Sequence, residues 1–390
     1  MTRRQQAKLL LEGPYQILRG HMMAVVLRPL TLYTVAWIAP LQIETRAALY
    51  MLDNEHEGNF RLGRGDDYVF HAGDMCGHNV IIATLPAGQE YGTGSAAALA
   101  DRVKTFFPNL WFGLLVGIAA GLPKLYVNPI RDIRLGDVLV ALPTPDTAGL
   151  IPYDLGKETE NGFELLHSGH VLAVTEPVVR SAIGTIQVRA PNDAQRFLPY
   201  YERIKDEEHA TGTFNDPGQE NDVLYAYDGD GEEYEVERGP RPPSRRTRVW
   251  YGSIGSGDKL VKSAYKRDVL KALLKDEIIG LEMEAAGTMN RIPVGVIRGV
   301  SDYADAHKNH IWQPYAAAMA AAYAKAVLAA IGSNEAVPHS NTDEEYQPQY
   351  VRVGNTYFNG PIRDISGVVT GGITGGHIQV TTNNIRNDSW

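Results

Sequence analysis

Cysteine is almost missing from this chain: of 390 residues only Cys76 carries a thiol. That excludes an intramolecular disulfide and a cysteine-rich zinc site. The sequence also begins without a secretory-type leader, so a reducing, cytoplasmic setting is expected. Apolar runs are short, none nearing the ~20 residues that a membrane helix needs, and no membrane partner is expected. Positive charge is in deficit, with 37 Lys and Arg against 46 Asp and Glu, a formal net charge of −9. A general nucleic-acid binder needs a basic face, and this balance argues against one. The start of the chain is locally basic, with Arg3, Arg4, Lys8, Arg19 and Arg28 against Glu12. A mitochondrial presequence has such charge, but Pro14 and the apolar cluster 22–27 fit one poorly.

What is present describes one large core with appendages: 44% hydrophobic residues, 21% charged, 39 Gly and 22 Pro. Short β-branched or aromatic runs at 33–38, 80–85, 114–117, 138–141 and 294–300 read as buried strands. Helix-like stretches at 45–52, 95–107, 268–275 and 315–331 lie among them. The last is so rich in alanine that it should pack closely on a sheet. Such alternation predicts an α/β domain with a mostly parallel or mixed central sheet flanked by helices. Residues 1–32 are expected to form an extension, 33–332 the catalytic domain and 333–349 a linker. The Gly-rich tail 350–390 suits short strands and tight turns, and exposed edges there could drive self-association. Within the domain, 200–248 reads as a polar insert, with an acidic block (228–237) followed by Arg238, Arg241, Arg245, Arg246 and Arg248. It is expected to be a solvated, partly disordered loop, or else to bring arginines to an anionic substrate group.

Candidate chemistry lies where apolar runs meet carboxylates. In IIGLEMEAAGTMN, Glu282 and Glu284 interrupt a strand and must find donors or solvent. They are expected to point to opposite faces, so that only one need enter a cleft. In VIRGVSDYAD, a strand ends at Ser301-Asp302, where ligands bind in open α/β sheets, although the same pair would serve as a helix cap. Glu44 stands at a strand-to-helix turn in IAPLQIETRAA, where it could cap the helix or orient a nucleophile. Thr93 and Gly94 belong to a Gly-rich turn before a helix, which favours contact with an anion or sugar. GIAAGL, with Ala119 and Gly121, would let backbone approach a ligand. His307 and His310 are expected to organise their loop, since no third metal ligand has suitable spacing. Neither a metal nor a cofactor is expected.

Taken in order with LGDVLV (135–140), Tyr153–Lys157 (YDLGK) and Tyr251–Ile254 (YGSI), these elements resemble the purine nucleoside phosphorylase and nucleosidase superfamily. Within it the likeness is to fungal nucleosidase-type domains, found alone or fused to immune-receptor modules. It covers roughly residues 33–331, most specifically in GLEMEAAG and SDYADAHKN. The resemblance implies a nucleoside phosphorylase-like fold, a homo-oligomer and a small-molecule nucleoside or nucleotide substrate. Glu284 would hold the ribose hydroxyls and Met283 would pack beneath the sugar. Asp302 would protonate purine N7, which needs a carboxyl kept protonated in a desolvated cleft. Glu44 would position water, and Leu260 and Val261 would touch the base. Such carboxylates fit the chemistry, because breaking an N-ribosidic bond puts positive charge on ribose and negative charge on the base.

Superfamily phosphorylases commonly carry a Gly-Asp-Pro-x-Arg loop after the first strand; here that place reads APLQIE, with an acid where phosphate would be repelled. Hydrolysis of adenosine- or inosine-type nucleosides is therefore expected. Arg46, Thr93 and Ser95 keep phosphorolysis as an alternative. Relatives in immune systems suggest adenine nucleotides such as ATP as a second substrate class. A binding and assembly module without turnover is a third reading, against which stands the presence of Glu44, Glu284 and Asp302 together.

Overall fold

Strand β1 (Val35–Ile38) is apolar and buried at every position, as a strand covered on both faces must be. The computed structural model describes residues 29–332 apart from 58–59, 61–65, 89–90, 127, 161, 166–171, 229 and 275–276, together with short strands between 352 and 383. After β1 come α1 (Gln42–Met51), β2 (Asn54–Glu55), β3 (Phe70–Met75), β4 (His78–Ala83), α2 (Thr93–Phe106) and β5 (Phe112–Gly121). Then follow β6 (Val138–Ala141), β7 (Leu150–Pro152), α3 (Pro177–Gln187) and α4 (Leu198–Ile204). The domain closes with β8 (Val249–Ser256), α5 (Ala264–Leu273), β9 (Ile278–Glu282), α6 (Ala285–Thr288), β10 (Val294–Asp302) and α7 (Trp312–Ala330). This is the α/β architecture expected from the sequence, with β2, β3, β7, β8, α3, α4 and α6 added to the elements legible there.

The sheet has ten strands in the order β9-β8-β6-β10-β5-β1-β4-β3-β2, with β7 beside β8. Its centre is parallel, β1 pairing with both β4 and β5 and β5 with β10. The pairs β10–β6 and β3–β4 are antiparallel, which makes the sheet mixed. Strand β9 also pairs antiparallel with β5, Gly280 opposite Gly121. The strands β9, β8, β6, β10 and β5 thus close into a ring. That closure brings the carboxyl ends of β5, β9 and β10 together.

Helix α7 does pack closely on the sheet, and one glycine is the reason. A Cβ on Gly299 would lie 1.9 Å from the Ala316 carbonyl oxygen. Alanines on the helix and glycine on β10 let the two backbones meet, burying α7 from Trp312 to Leu328 apart from its first turn.

Part of the insert departs from the expected solvated loop. Phe214 is fully buried, and Leu224, Asp222 and Arg241 are also buried. Its charges pair with each other and with the domain: Arg238 with Asp132 and Asp222, Arg241 with Asp137, and Arg246 with Asp216. The acidic residues of 228–237 stay exposed, as a solvated loop would have them, whereas Arg238, Arg241 and Arg246 are neutralised by carboxylates of the domain and of the insert.

The chain divides into two compact units, Met1–Glu335 and Ala336–Trp390. In the second, short antiparallel pairs join 352–353 with 356–357, 368–370 with 381–383, and 373–374 with 377–378. The presequence-like segment and the linker 333–349 lie outside the described residues. Among the described residues no helix is long and apolar enough to cross a membrane.

Candidate active site

A cavity of about 360 Å³ opens at the carboxyl ends of β1, β5, β8, β9 and β10. Glu44, Glu282, Met283, Glu284, Ser301 and Asp302 all line it, as do Ala119, Leu260 and Val261. Nine of the twelve candidate residues thus meet in one place although they lie up to 258 positions apart in sequence.

The carboxylates are organised by a residue not singled out from the sequence. Arg298, at the middle of β10, has no exposed surface and reaches three acids. Its Nη2 donates to Glu282 and, at 2.8 Å, to Glu284 Oε2. Its Nη1 makes no hydrogen bond and lies 3.8 Å from Glu44 Oε1. An arginine inside a β-branched run carries no signal of its own; only the fold shows what it faces. A buried guanidinium requires such partners, since an uncompensated buried charge is costly.

Each acid is also fixed by backbone. Glu44 sits in the first turn of α1, its Oε2 accepting the Leu41 amide at 2.8 Å and its Oε1 the Ile118 amide at 2.7 Å. A carboxylate there also suits the positive end of the helix. Glu282 ends β9 and accepts the amides of Glu284 and Ala285 at 3.0–3.1 Å. The expectation that Glu282 and Glu284 would face opposite sides fails. Alternate residues of a strand share a face, and the chain leaves β9 after Glu282, so both meet Arg298. Burial pushes the Glu44 carboxyl up from its ordinary range, against the pull of Arg298 and the two amides. Burial likewise pushes Glu284 up, to about 7, opposed by Arg298 and reinforced by Glu282 and Glu44.

Asp302 stands at the end of β10, just past a register shift against β5 between Val300 and Asp302. Bulges of this kind re-aim side chains. Its Oδ1 accepts the Ala304 amide, and its Oδ2 the Ser301 hydroxyl, both at 3.0 Å. Lys308 Nζ lies 3.1 Å from Oδ2. Asp302 is buried, as a desolvated cleft requires, but a cation stands beside it. The segment that carries Leu260 and Val261 is held by the YDLGK motif. Tyr153 donates its hydroxyl to the Gly257 and Lys259 carbonyls at 3.0 and 2.6 Å, and Asp154 accepts the Asp258 amide.

Three candidates lie elsewhere. Thr93 gives its amide and hydroxyl to Asp258 at 2.6–3.0 Å, so a side chain of this protein takes the place expected for a ligand anion at the start of α2. Gly94 adjoins it and does not line the cavity. Gly121 is spent on packing, since a Cβ there would meet Val300 and Ile133 within 2.8 Å. Gly117 in the same motif makes room for protein rather than ligand: its Cβ would fall 2.1 Å from Glu44 Oε1. Nor do the arginines of the insert, or the exposed Arg46, line the cavity. Lys259, Lys262, Lys308 and His310 do, and sequence reasoning had not marked them for it.

This chain shares its fold with solved structures of nucleosidases and hydrolases. Among solved structures it is similar to the 5′-methylthioadenosine/S-adenosylhomocysteine nucleosidase from Colwellia psychrerythraea 34H in complex with adenine. The two share 15% identity at a TM-score of 0.51, over 78% of this chain and 99% of that one. It is also similar to the futalosine hydrolase of Helicobacter pylori strain 26695, with 16% identity and a TM-score of 0.50, over 76% of this chain and 97% of that one. In sequence it is similar to a nucleotide-binding leucine-rich repeat (NLR)-like protein of Hyaloscypha variabilis, 38% identical over 317 residues. That match takes in 79% of this chain and 30% of the relative, so the chain spans less than a third of that protein's length. No family model matches the chain.

Proposed function

We propose that this protein is a purine nucleosidase that hydrolyses the N-glycosidic bond of adenosine- or inosine-type nucleosides to free base and ribose. The observation that carries the reading is the Arg298 cluster, three carboxylates gathered on one buried guanidinium and sharing a cavity with Asp302. In this reading Glu284 accepts from the ribose hydroxyls, while Met283 packs beneath the ring. A water held between Arg298 Nη1 and Glu44 Oε1 attacks the anomeric carbon, and Glu44 takes its proton. Negative charge around the sugar stabilises the oxocarbenium character that develops there. At the other end Asp302 faces the five-membered ring of the purine, where protonation of N7 makes the base a better leaving group. Leu260 and Val261 flank that ring.

Water is favoured over phosphate because Glu44 stands where an anion would be repelled, and because Asp258 already takes the amide of Thr93 at the start of α2. Adenosine and inosine are expected to release base in phosphate-free buffer, followed by chromatography of the products; a strict requirement for phosphate would overturn the hydrolase reading.

A second reading, cleavage of adenine nucleotides, is supported by Lys259, Lys262 and His310 at the cavity rather than by the arginines of the insert, of which Arg238, Arg241 and Arg246 are engaged elsewhere. The same assay run with ATP separates the two.

A further inference from the structure

The 200–248 insert grips the stretch of chain that follows Asp302. At its start Tyr303 is buried, and its hydroxyl donates to Asp222 Oδ1 and accepts from Arg238 Nη2 at 3.0 Å. At its end Trp312 is buried as well. Its indole N–H donates to the Asn221 carbonyl at 3.2 Å, and the Arg246 guanidinium lies 5.6 Å from the ring centroid. Between these anchors residues 306–311 are irregular, and all but Lys308 are exposed. A segment with little buried apolar surface opens at low cost unless something else holds it.

That stretch forms part of the cavity wall. Lys308 and His310 line the cavity, as do Ala304 before them and Gln313 after them. His307 faces the insert instead. Its ring stacks on Tyr225 at a centroid distance of 3.7 Å and an interplanar angle of 20°, and its Nε2 lies 2.8 Å from Glu233 Oε2. Tyr225 and Glu233 belong to one hairpin of the insert, Tyr225–Tyr227 paired with Glu233–Glu235. The hairpin is itself tied to the start of the stretch. The buried Arg267 donates through Nη2 to the Tyr225 carbonyl and through Nη1 to the Tyr303 carbonyl, both at 3.2 Å.

We propose that His307 is a positioning residue for the nucleoside and that this hairpin is a functional part of the site: Tyr225 and Glu233 hold His307, and through it the wall made by Lys308 and His310. The inference rests on the reading of the cavity as a nucleoside site. A ring stack and a contact with a partly exposed carboxylate are each modest. The wall is therefore held lightly, and the fraction of molecules with it in place responds to either contact. Apparent affinity falls in proportion to that fraction. Bound nucleoside adds its own contacts to the wall, so at saturation the loop is in place and turnover is little changed. The signature is a rise in Kd and KM with kcat nearly constant.

Calorimetric titration with adenosine, beside steady-state kinetics on it, tests this in the full-length protein and in H307A, H307F, E233A and H307F/E233A. H307F keeps a ring for Tyr225 and loses the nitrogen that meets Glu233. E233A and H307F are each expected to raise Kd and KM ~3-fold, and H307A, which loses both contacts, ~10-fold. The double variant should be no weaker than either single one, because both remove the same contact. Throughout, kcat should stay within ~3-fold of wild type. A merely structural His307 would lower the midpoint of urea denaturation in H307A and leave Kd unchanged. That result overturns the proposal, as do losses that multiply in the double variant or that fall on kcat alone, and each leaves the nucleosidase reading intact. A wild-type protein that neither binds nor hydrolyses adenosine or inosine overturns both.

Discussion

Arg298 carries one positive charge among three buried carboxylates, so the protonation of that group governs what it can do. Glu284 is raised to about 7 by burial, and Glu282 and Glu44 add to the rise. In the proposed reaction Glu284 works ionised, as an acceptor and a stabiliser of positive charge. Below its pKa it is neutral, so hydrolysis should be low at acid pH and climb as pH rises through about 7. Replacing Glu282 with Gln removes one of the negative neighbours that hold Glu284 up. The acid limb of the kcat/KM profile should then move to lower pH in E282Q, and a limb that stays put or moves upward would show that Glu284 does not control it. Lys308 belongs to the same scale. Lying six positions after Asp302, it reads in sequence as an ordinary loop lysine, and only the structure shows that it pairs with the carboxylate.

At the level of elements, the contact between β10 and α7 decides where the chemistry stands. β10 carries Arg298 at its centre and Asp302 at its end, and Gly299 between them lies against the Ala316 carbonyl. A methyl group there must displace either strand or helix. Gly299→Ala is expected to lower unfolding stability by ~1–3 kcal/mol, the usual range for overpacking, read from the midpoint of urea denaturation. The same displacement should reduce hydrolysis, because it shifts Arg298 and Asp302 together. A variant as stable as wild type would mean that helix and strand can part without cost. The pairing of β9 with β5 is a second decision at this scale. It sets Glu282 near Ile118, whose amide holds Glu44.

For the whole molecule, the division at residues 335 and 336 separates the α/β unit from a tail of short antiparallel pairs. The tail is proposed to drive self-association. Light scattering on residues 1–332 beside the full chain tests it: a smaller assembly for the shorter form is expected, and identical masses remove the tail's role. The chain matches less than a third of its NLR-like relative, so the activity of that larger protein is a separate question from the cavity described above.

The sequence by itself determined many of the elements and most of the acids. Buried strands declare themselves as β-branched runs, and helix α7 as an alanine-rich one. Carboxylates that interrupt apolar stretches, such as Glu44, Glu284 and Asp302, stand out because such burial needs a reason. What it left open were the partners. Lys308 finds Asp302 only six positions away, but Arg298 with Glu44 and Arg241 with Asp137 join segments more than a hundred positions apart. Glycines misled for a related reason: the room that Gly117 provides is visible in the sequence, but whether ligand or protein fills it is not. Pattern along a chain reports burial and local conformation; which charge meets which is settled only when the ring of strands closes.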